Sequence, residues 1–116
     1  MQSFRLLDAA EFRDVGAGSA KALYADDASR TLLFALSKGQ SIKEHHANTP
    51  LHIVVLAGRG LFKAGDGTEV RAEPNTLLIL APGEEISATA PDEELIFVAI
   101  LHGAPHASTD HGPVGV

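Results

Sequence analysis

With 116 residues, 45% of them hydrophobic and 21% charged, the chain has the size and composition of one globular domain with a core of its own. The absence of cysteine excludes a disulfide framework, a thiolate zinc site, an iron–sulfur cluster and a cysteine nucleophile. A formal charge of -6, from nine Lys and Arg against fifteen Asp and Glu, lacks the basic footprint that nucleic acid or an anionic membrane surface attracts.

The longest strongly apolar runs, such as Leu95–Leu101, fall well short of the ~20 residues of a membrane helix, and residues 1–5 show no apolar signal segment. The expectations are a cytoplasmic protein with neither a nucleic-acid nor a membrane partner.

In chain order, Leu7–Val15 comes first, with Asp8 placed as an N-cap and Glu11 three residues on, and predicts one or two helical turns that need packing to persist. From residue 19 the pattern changes to short apolar or alternating runs closed by turn residues, which predicts an all-β fold. The predicted strands are Ala20–Ala25, Thr31–Leu36, Ser41–His46, Leu51–Ala57, Leu61–Ala64, Thr68–Ala72, Thr76–Leu80, Ile86–Ala90 and Glu94–His102. Between them, glycine supplies positive φ, proline presets φ and removes a donor, and Asp or Asn closes local turns. Gly65-Asp66-Gly67 is the strongest hairpin signal.

Nine short strands leave too many edges for one flat sheet, so a closed barrel or two-sheet sandwich is predicted over residues 19–102. Residues 1–18 form a segment expected to pack on that barrel. Residues 103–116, which include His106 and His111, show no period and are expected to be a mobile tail.

The order of turns and strands from Gly39 to Leu101 resembles the cupin superfamily, specifically its small single-domain RmlC-like members of the cupin 2 conserved barrel type. The first motif of that family runs Gly, five residues, His-x-His, three or four residues, Glu, six residues, Gly. Here Gly39-Gln-Ser-Ile-Lys-Glu-His45-His46-Ala47-Asn-Thr-Pro-Leu51-His52-Ile-Val-Val-Leu-Ala-Gly58 keeps both glycines and their spacing. The second motif has its counterpart in Pro82-Gly83-Glu84-Glu85-Ile86-Ser87. The resemblance covers about two-thirds of the chain and implies a double-stranded β-helix, or jelly-roll barrel.

Metal-binding cupins hold their ion with three His and one Glu. Counted from Gly39, His45 takes the first His position, but Ala47 falls at the second, Leu51 at the Glu and Ser87 at the His of the second motif. Sliding by one places His46 second and Glu44 first, and still leaves Leu51 and Ser87. The quartet is incomplete in either register, and no cofactor is expected.

One alternative set remains, His45, His46 and His52 around one divalent metal ion, with His52 meeting the preceding histidines across a hairpin. Adjacent strand residues point to opposite faces, so this set needs a bulge. The family's strand phase implies a ligand pocket lined by His45, Leu51, Ile53, Val55 and Ser87, with Leu78 or Ile79 beyond. Such a lining suits a small organic molecule held by burial and oriented by a few polar groups. His52, Val54 and Leu56 then face outward, which implies a homodimer that covers them.

Three readings follow. The first is a small-molecule-binding barrel without a complete metal site. The second is a metal-dependent oxygenase or isomerase using the alternative histidines, and the third a non-catalytic sensor or scaffold. His102, like His106 and His111, is read as solvated, and Glu84-Glu85 as a charged loop at the barrel mouth.

Overall fold

A computed structural model describes residues 1–103, with Glu44 and His45 described through their backbone alone. The expected mobile tail, with His106 and His111, lies outside the described residues apart from Gly103. All nine predicted strands are present: β1 (Ser19–Ala25), β2 (Ser29–Leu36), β3 (Ser41–His46), β4 (Leu51–Ala57), β5 (Gly60–Ala64), β6 (Glu69–Ala72), β7 (Leu77–Leu80), β8 (Glu85–Thr89) and β9 (Leu95–His102). They form a five-stranded sheet in the order β1-β2-β9-β4-β7 and a four-stranded sheet in the order β3-β8-β5-β6, with antiparallel pairing throughout.

The two sheets face each other across the core. Period-2 alternation decides which residues enter it. On β4, Leu51, Ile53 and Val55 are buried while His52, Val54 and Leu56 are half-buried on the other face. From β2 come Leu32, Phe34 and Leu36, from β9 Leu95, Phe97, Ala99 and Leu101, and from the opposite sheet Phe62, Ile86 and Ala88. Phe97 stacks on Phe34 with centroids 4.8 Å apart and meets Phe62 edge to face at 5.1 Å, so three rings bridge the sheets.

Strands β2 and β9 are buried on both faces along much of their length, which is why Leu-Leu-Phe-Ala-Leu and Leu-Ile-Phe-Val-Ala read as continuous apolar runs rather than alternations. Their outward residues Leu33, Ala35, Ile96 and Val98 form a second cluster, covered in part by Ala9, Ala10 and Leu23.

The N-terminal segment differs from expectation. The helix is a single turn, Leu6–Ala9, capped by Arg5 without a side-chain hydrogen bond, and Asp8 lies inside it rather than at its N-cap. Ala10 is already extended, and the rest of the segment is held by the barrel instead of by helical bonds. The Ser19 hydroxyl donates to the Glu11 carbonyl, Lys21 Nζ lies 3.2 Å from the Glu11 carboxylate, and the buried Gln40 amide donates to the Arg13 carbonyl at 3.1 Å. So short a helix has too few internal bonds to repay its nucleation, and tertiary contacts set its length.

The Gly65-Asp66-Gly67 hairpin joins β5 to β6 as expected. Gly67 takes φ +92°, and Asp66 Oδ1 accepts from the Thr68 N–H at 2.9 Å. At the β1–β2 turn, Asp26 Oδ1 accepts from the N–H groups of Ala28 and Ser29 at 2.7 and 3.0 Å, and Oδ2 accepts from the Tyr24 hydroxyl at 2.8 Å. The backbone N–H of Ala28, then the Tyr24 hydroxyl and the N–H of Ser29, hold the Asp26 carboxyl below its usual value of 3.8.

A carboxyl with a lowered folded pKa contributes stability that is complete above the unfolded value and lost as pH falls through the folded one. Asp26→Ala is therefore expected to lower the melting temperature at neutral pH, and the gap to the parent chain is expected to close as pH falls below about 3.8. Thermal melts of both proteins along a pH series check this; a gap that persists undiminished at low pH would assign the effect to the turn's shape rather than to the carboxylate.

Candidate functional site

The two sheets enclose the interior of the barrel. Leu51 and Ile53 of β4 border a small hollow there with Leu32, Phe34, Ile42, Ala47, Phe62, Ile86, Ala88, Phe97, Ala99 and Leu101, and Val55 lies buried in the same core. The free space is about 20 Å³. One water needs roughly 10–15 Å³ on the same measure, so side chains fill the interior almost completely.

Ser87 borders the hollow as well, but it is half-buried, set between the inward-facing Ile86 and Ala88, and it also lines an outer groove with Ser41, Lys43 and Thr89. Of the two candidates on β7, Leu78 packs against the core, and Ile79 faces outward with 66% of its surface exposed.

Strand β3 is the wall in which the sequence motif sits. It is an edge strand with β8 as its one neighbour among the described strands. The register runs from Ile42↔Ala88 to His45↔Ile86, so three steps on β3 match two on β8 and a bulge lies between Ile42 and His45. That bulge lies ahead of the two histidines, and His45 and His46 pair with Ile86 and Glu85 in regular succession, so the bulge between them that the alternative ligand set requires is not in this ladder. The register places His45 beside Ile86 and His46 beside Glu85, and His46 is exposed. The side chain of His45 lies outside the described residues.

Strands β3 and β4 do not form the expected hairpin. The Ala47–Pro50 connection crosses between the sheets, so His45 and His46 belong to the four-stranded sheet and His52 to the five-stranded one. His52 faces the outside of its sheet and His46 is exposed on the other, so the structure does not bring these two together. Among the described residues no three His, Asp or Glu side chains are grouped closely enough to hold a metal ion. The motif positions agree with this on chemical grounds: Ala47 and Leu51 are buried and carry no donor atom. The residues present do not fit the quartet's metal.

Where His52 does go was not legible in the motif. A hydrogen bond joins its Nδ1 to Nε2 of His102 at 3.1 Å, one nitrogen donating and the other accepting, with ring centroids 4.3 Å apart at 64°. Both rings are half-buried on the outer face of the five-stranded sheet. His102 is therefore an ordered strand residue, correcting its reading as solvated. It ends β9, paired with Ser29 of β2, and its N–H donates to the Pro50 carbonyl at 3.0 Å. The two histidines are 50 residues apart in sequence, and the β4–β9 ladder brings them together.

This architecture defines the class. The chain has the RmlC-like cupin fold, a double-stranded β-helix of two antiparallel sheets. No family model matches the sequence, and no curated protein matches it. Among solved structures it is similar to an uncharacterized conserved protein with a double-stranded β-helix domain from Klebsiella pneumoniae, with a TM-score of 0.82 and 18% identity over 90% of this chain and 91% of that one. It is also similar to an RmlC-like cupin protein from Desulfovibrio desulfuricans, with a TM-score of 0.74 and 24% identity over 87% and 96% of the two chains. A cupin 2 conserved barrel domain protein from Leptotrichia buccalis superposes with a TM-score of 0.76 and 23% identity over 85% of this chain and 47% of that one. At these identities the likeness is one of fold, and one such fold hosts many activities. Among the described residues no helix is long and apolar enough to cross a membrane.

Proposed function

We propose that this chain is a cytoplasmic, homodimeric barrel that binds a small, mainly apolar organic molecule in its interior and carries no cupin metal quartet. The observation that supports this reading is the hollow itself, which lies between the two sheets and is bordered, among the described residues, by aliphatic and aromatic side chains with Ser87 the one polar neighbour. Burial in such a lining supplies affinity, and a few polar groups supply orientation.

With only about 20 Å³ free, the ligand must displace part of the wall. Strand β3 is the element built to yield, because it sits at a sheet edge and its ladder is interrupted by the bulge after Ile42. The homodimer rests on a different feature, the outward row of Val54, Leu77 and Ile79, in which Leu77 and Ile79 are 54% and 66% exposed.

A thermal-shift screen against small apolar carboxylic acids, alcohols and aromatic compounds tests the barrel. A compound that binds only the folded form at one hundred times its Kd adds about 2.7 kcal/mol of stability. The expected result is a raised melting temperature for at least one class, abolished by Ala99→Val, which places two methyl groups into the hollow. No shift with any compound, or a shift unchanged in Ala99→Val, overturns the proposal. The first of these outcomes gives the case to the scaffold reading, which the small free volume favours. The metal-dependent oxygenase or isomerase is disfavoured, because His52 lies on the outer face of its sheet, hydrogen-bonded to His102 and turned away from the barrel interior.

A further inference from the structure

The paired imidazoles of His52 and His102 are not explained by a ligand in the barrel, because they lie on its outer surface. Nor does the fold require them. Any two residues that suit a strand face would complete the β4–β9 ladder there, and a core-facing neighbour of each, Leu51 and Leu101, already supplies the burial at that end.

What the pair provides is two ring nitrogens 3.1 Å apart, each on a side chain anchored to adjacent hydrogen-bonded strands. Two nitrogens bound to one tetrahedral zinc at 2.0–2.1 Å stand about 3.3 Å apart. The spacing is thus close to that of a chelate, and turning both rings so that their lone pairs converge on one point replaces the shared proton with a shared metal ion. Imidazole suits zinc, copper, iron and nickel as a ligand.

Two ligands do not complete a site, and no third donor from this chain joins them among the described residues. The neighbouring side chains say what can. In the same cross-strand row as His52 stand Ile100 and Ile79, and the next row holds Val98, Val54 and Leu77. Val98 is already buried in the second core cluster; what remains open is an apolar surface of half-buried Ile100 and Val54 with Leu77 and Ile79 largely exposed, and none of these residues is a carboxylate. A second copy of the chain seated on that surface would bring the same two imidazoles. A two-fold axis beside the pair makes the contact self-complementary, as an isologous interface requires.

We infer that His52 and His102 are half of a zinc-class site on the outer face of the five-stranded sheet, completed as four imidazoles by the same pair from a second copy. The inference rests on the homodimer of the preceding section for the position of that copy, and on the His52–His102 geometry for the metal.

The test uses the full-length, untagged chain, stripped with a chelator and titrated with zinc, with cobalt as a spectroscopic probe. The expected result is one zinc per two chains, a doubled mass by light scattering that is strengthened at least tenfold in dimer affinity by the ion, and cobalt absorption bands of a tetrahedral nitrogen site. His52→Ala and His102→Ala are each expected to abolish the bands, and His46→Ala and the paired change His106→Ala with His111→Ala to keep them. Circular dichroism establishes that each variant is folded, and His52→Asn serves where His52→Ala is not.

Zinc bound equally by the folded His52 and His102 variants overturns the site. One ion per monomer with no change of mass overturns its sharing between copies. A dimer that forms equally in chelator and binds no zinc overturns the metal while leaving the dimer standing, whereas a monomer with no zinc removes both.

Discussion

Replacing Phe97 with alanine is expected to lower the stability of the fold by about 3–5 kcal/mol, the usual cost of deleting a buried aromatic ring. Phe97 is buried on β9, between β2 and β4 at the centre of the larger sheet, with Phe34 and Val55 as its cross-strand partners. Its ring lies nearly parallel to Phe34 and nearly perpendicular to Phe62, which belongs to the other sheet. The substitution therefore removes burial and two aromatic contacts together, and opens a void where the free space is now only about 20 Å³.

Against a total stability of roughly 5–15 kcal/mol for a domain of this kind, the loss is a large fraction. The melting temperature is expected to fall by on the order of 10 °C or more. Urea unfolding checks the result: the midpoint should move and the slope stay constant. Phe4→Ala is the control, since Phe4 is 46% exposed and a surface change of this kind costs within about 0.5 kcal/mol. Equal losses for the two would mean that the three-ring bridge does not hold the sheets.

The second large effect is expected at Gly58, the last glycine of the motif that carries the cupin resemblance. Its φ is +77°, in the left-handed region, and a Cβ built there would overlap the carbonyl oxygen of Glu94 and lie 2.8 Å from its carbon. Those atoms are backbone at the start of β9 and cannot swing aside. Gly58→Ala has to move a strand, and is expected to cost on the order of 3 kcal/mol or more.

Gly39, the first glycine of the same motif, separates the two physical causes. Its φ is +89°, but nothing lies within 4 Å of an added Cβ. Gly39→Ala meets backbone strain alone, about 1–2 kcal/mol. Chemical denaturation of both variants should place Gly58→Ala well below Gly39→Ala. If they lose the same amount, the close approach of Glu94 is not what requires glycine at 58.

These two sites show how far the sequence can be read. Gly39 and Gly58 were visible as a spaced pair, and the strands between and after them follow from alternation and turn chemistry. Only the structure shows that one glycine answers to open space and the other to a neighbouring backbone. The alternation on β4 likewise forecast which face Leu51, Ile53 and Val55 present, because period 2 is a property of the strand itself.

The exit from β3 is less legible in the sequence. Ala47–Pro50 has the residues of a turn, and turn residues alone do not say whether the next strand pairs with the last one or crosses to the other sheet. The single-turn helix failed for a related reason. Asp8 and Glu11 have capping-box spacing, but Ala9 and Ala10 pack against the second core cluster, and the chain is already extended at Ala10.

By itself the sequence determined an all-β chain of nine short strands, the positions of its turns, and the loss of donor atoms at Ala47 and Leu51, since each depends on local chemistry and spacing. The tertiary structure alone decided that the barrel's interior is almost full and that His52 meets His102 rather than His46. Both outcomes depend on which strands become neighbours. That pairing is settled by the fit of two whole sheets around one core, and residues 50 positions apart carry no local trace of it.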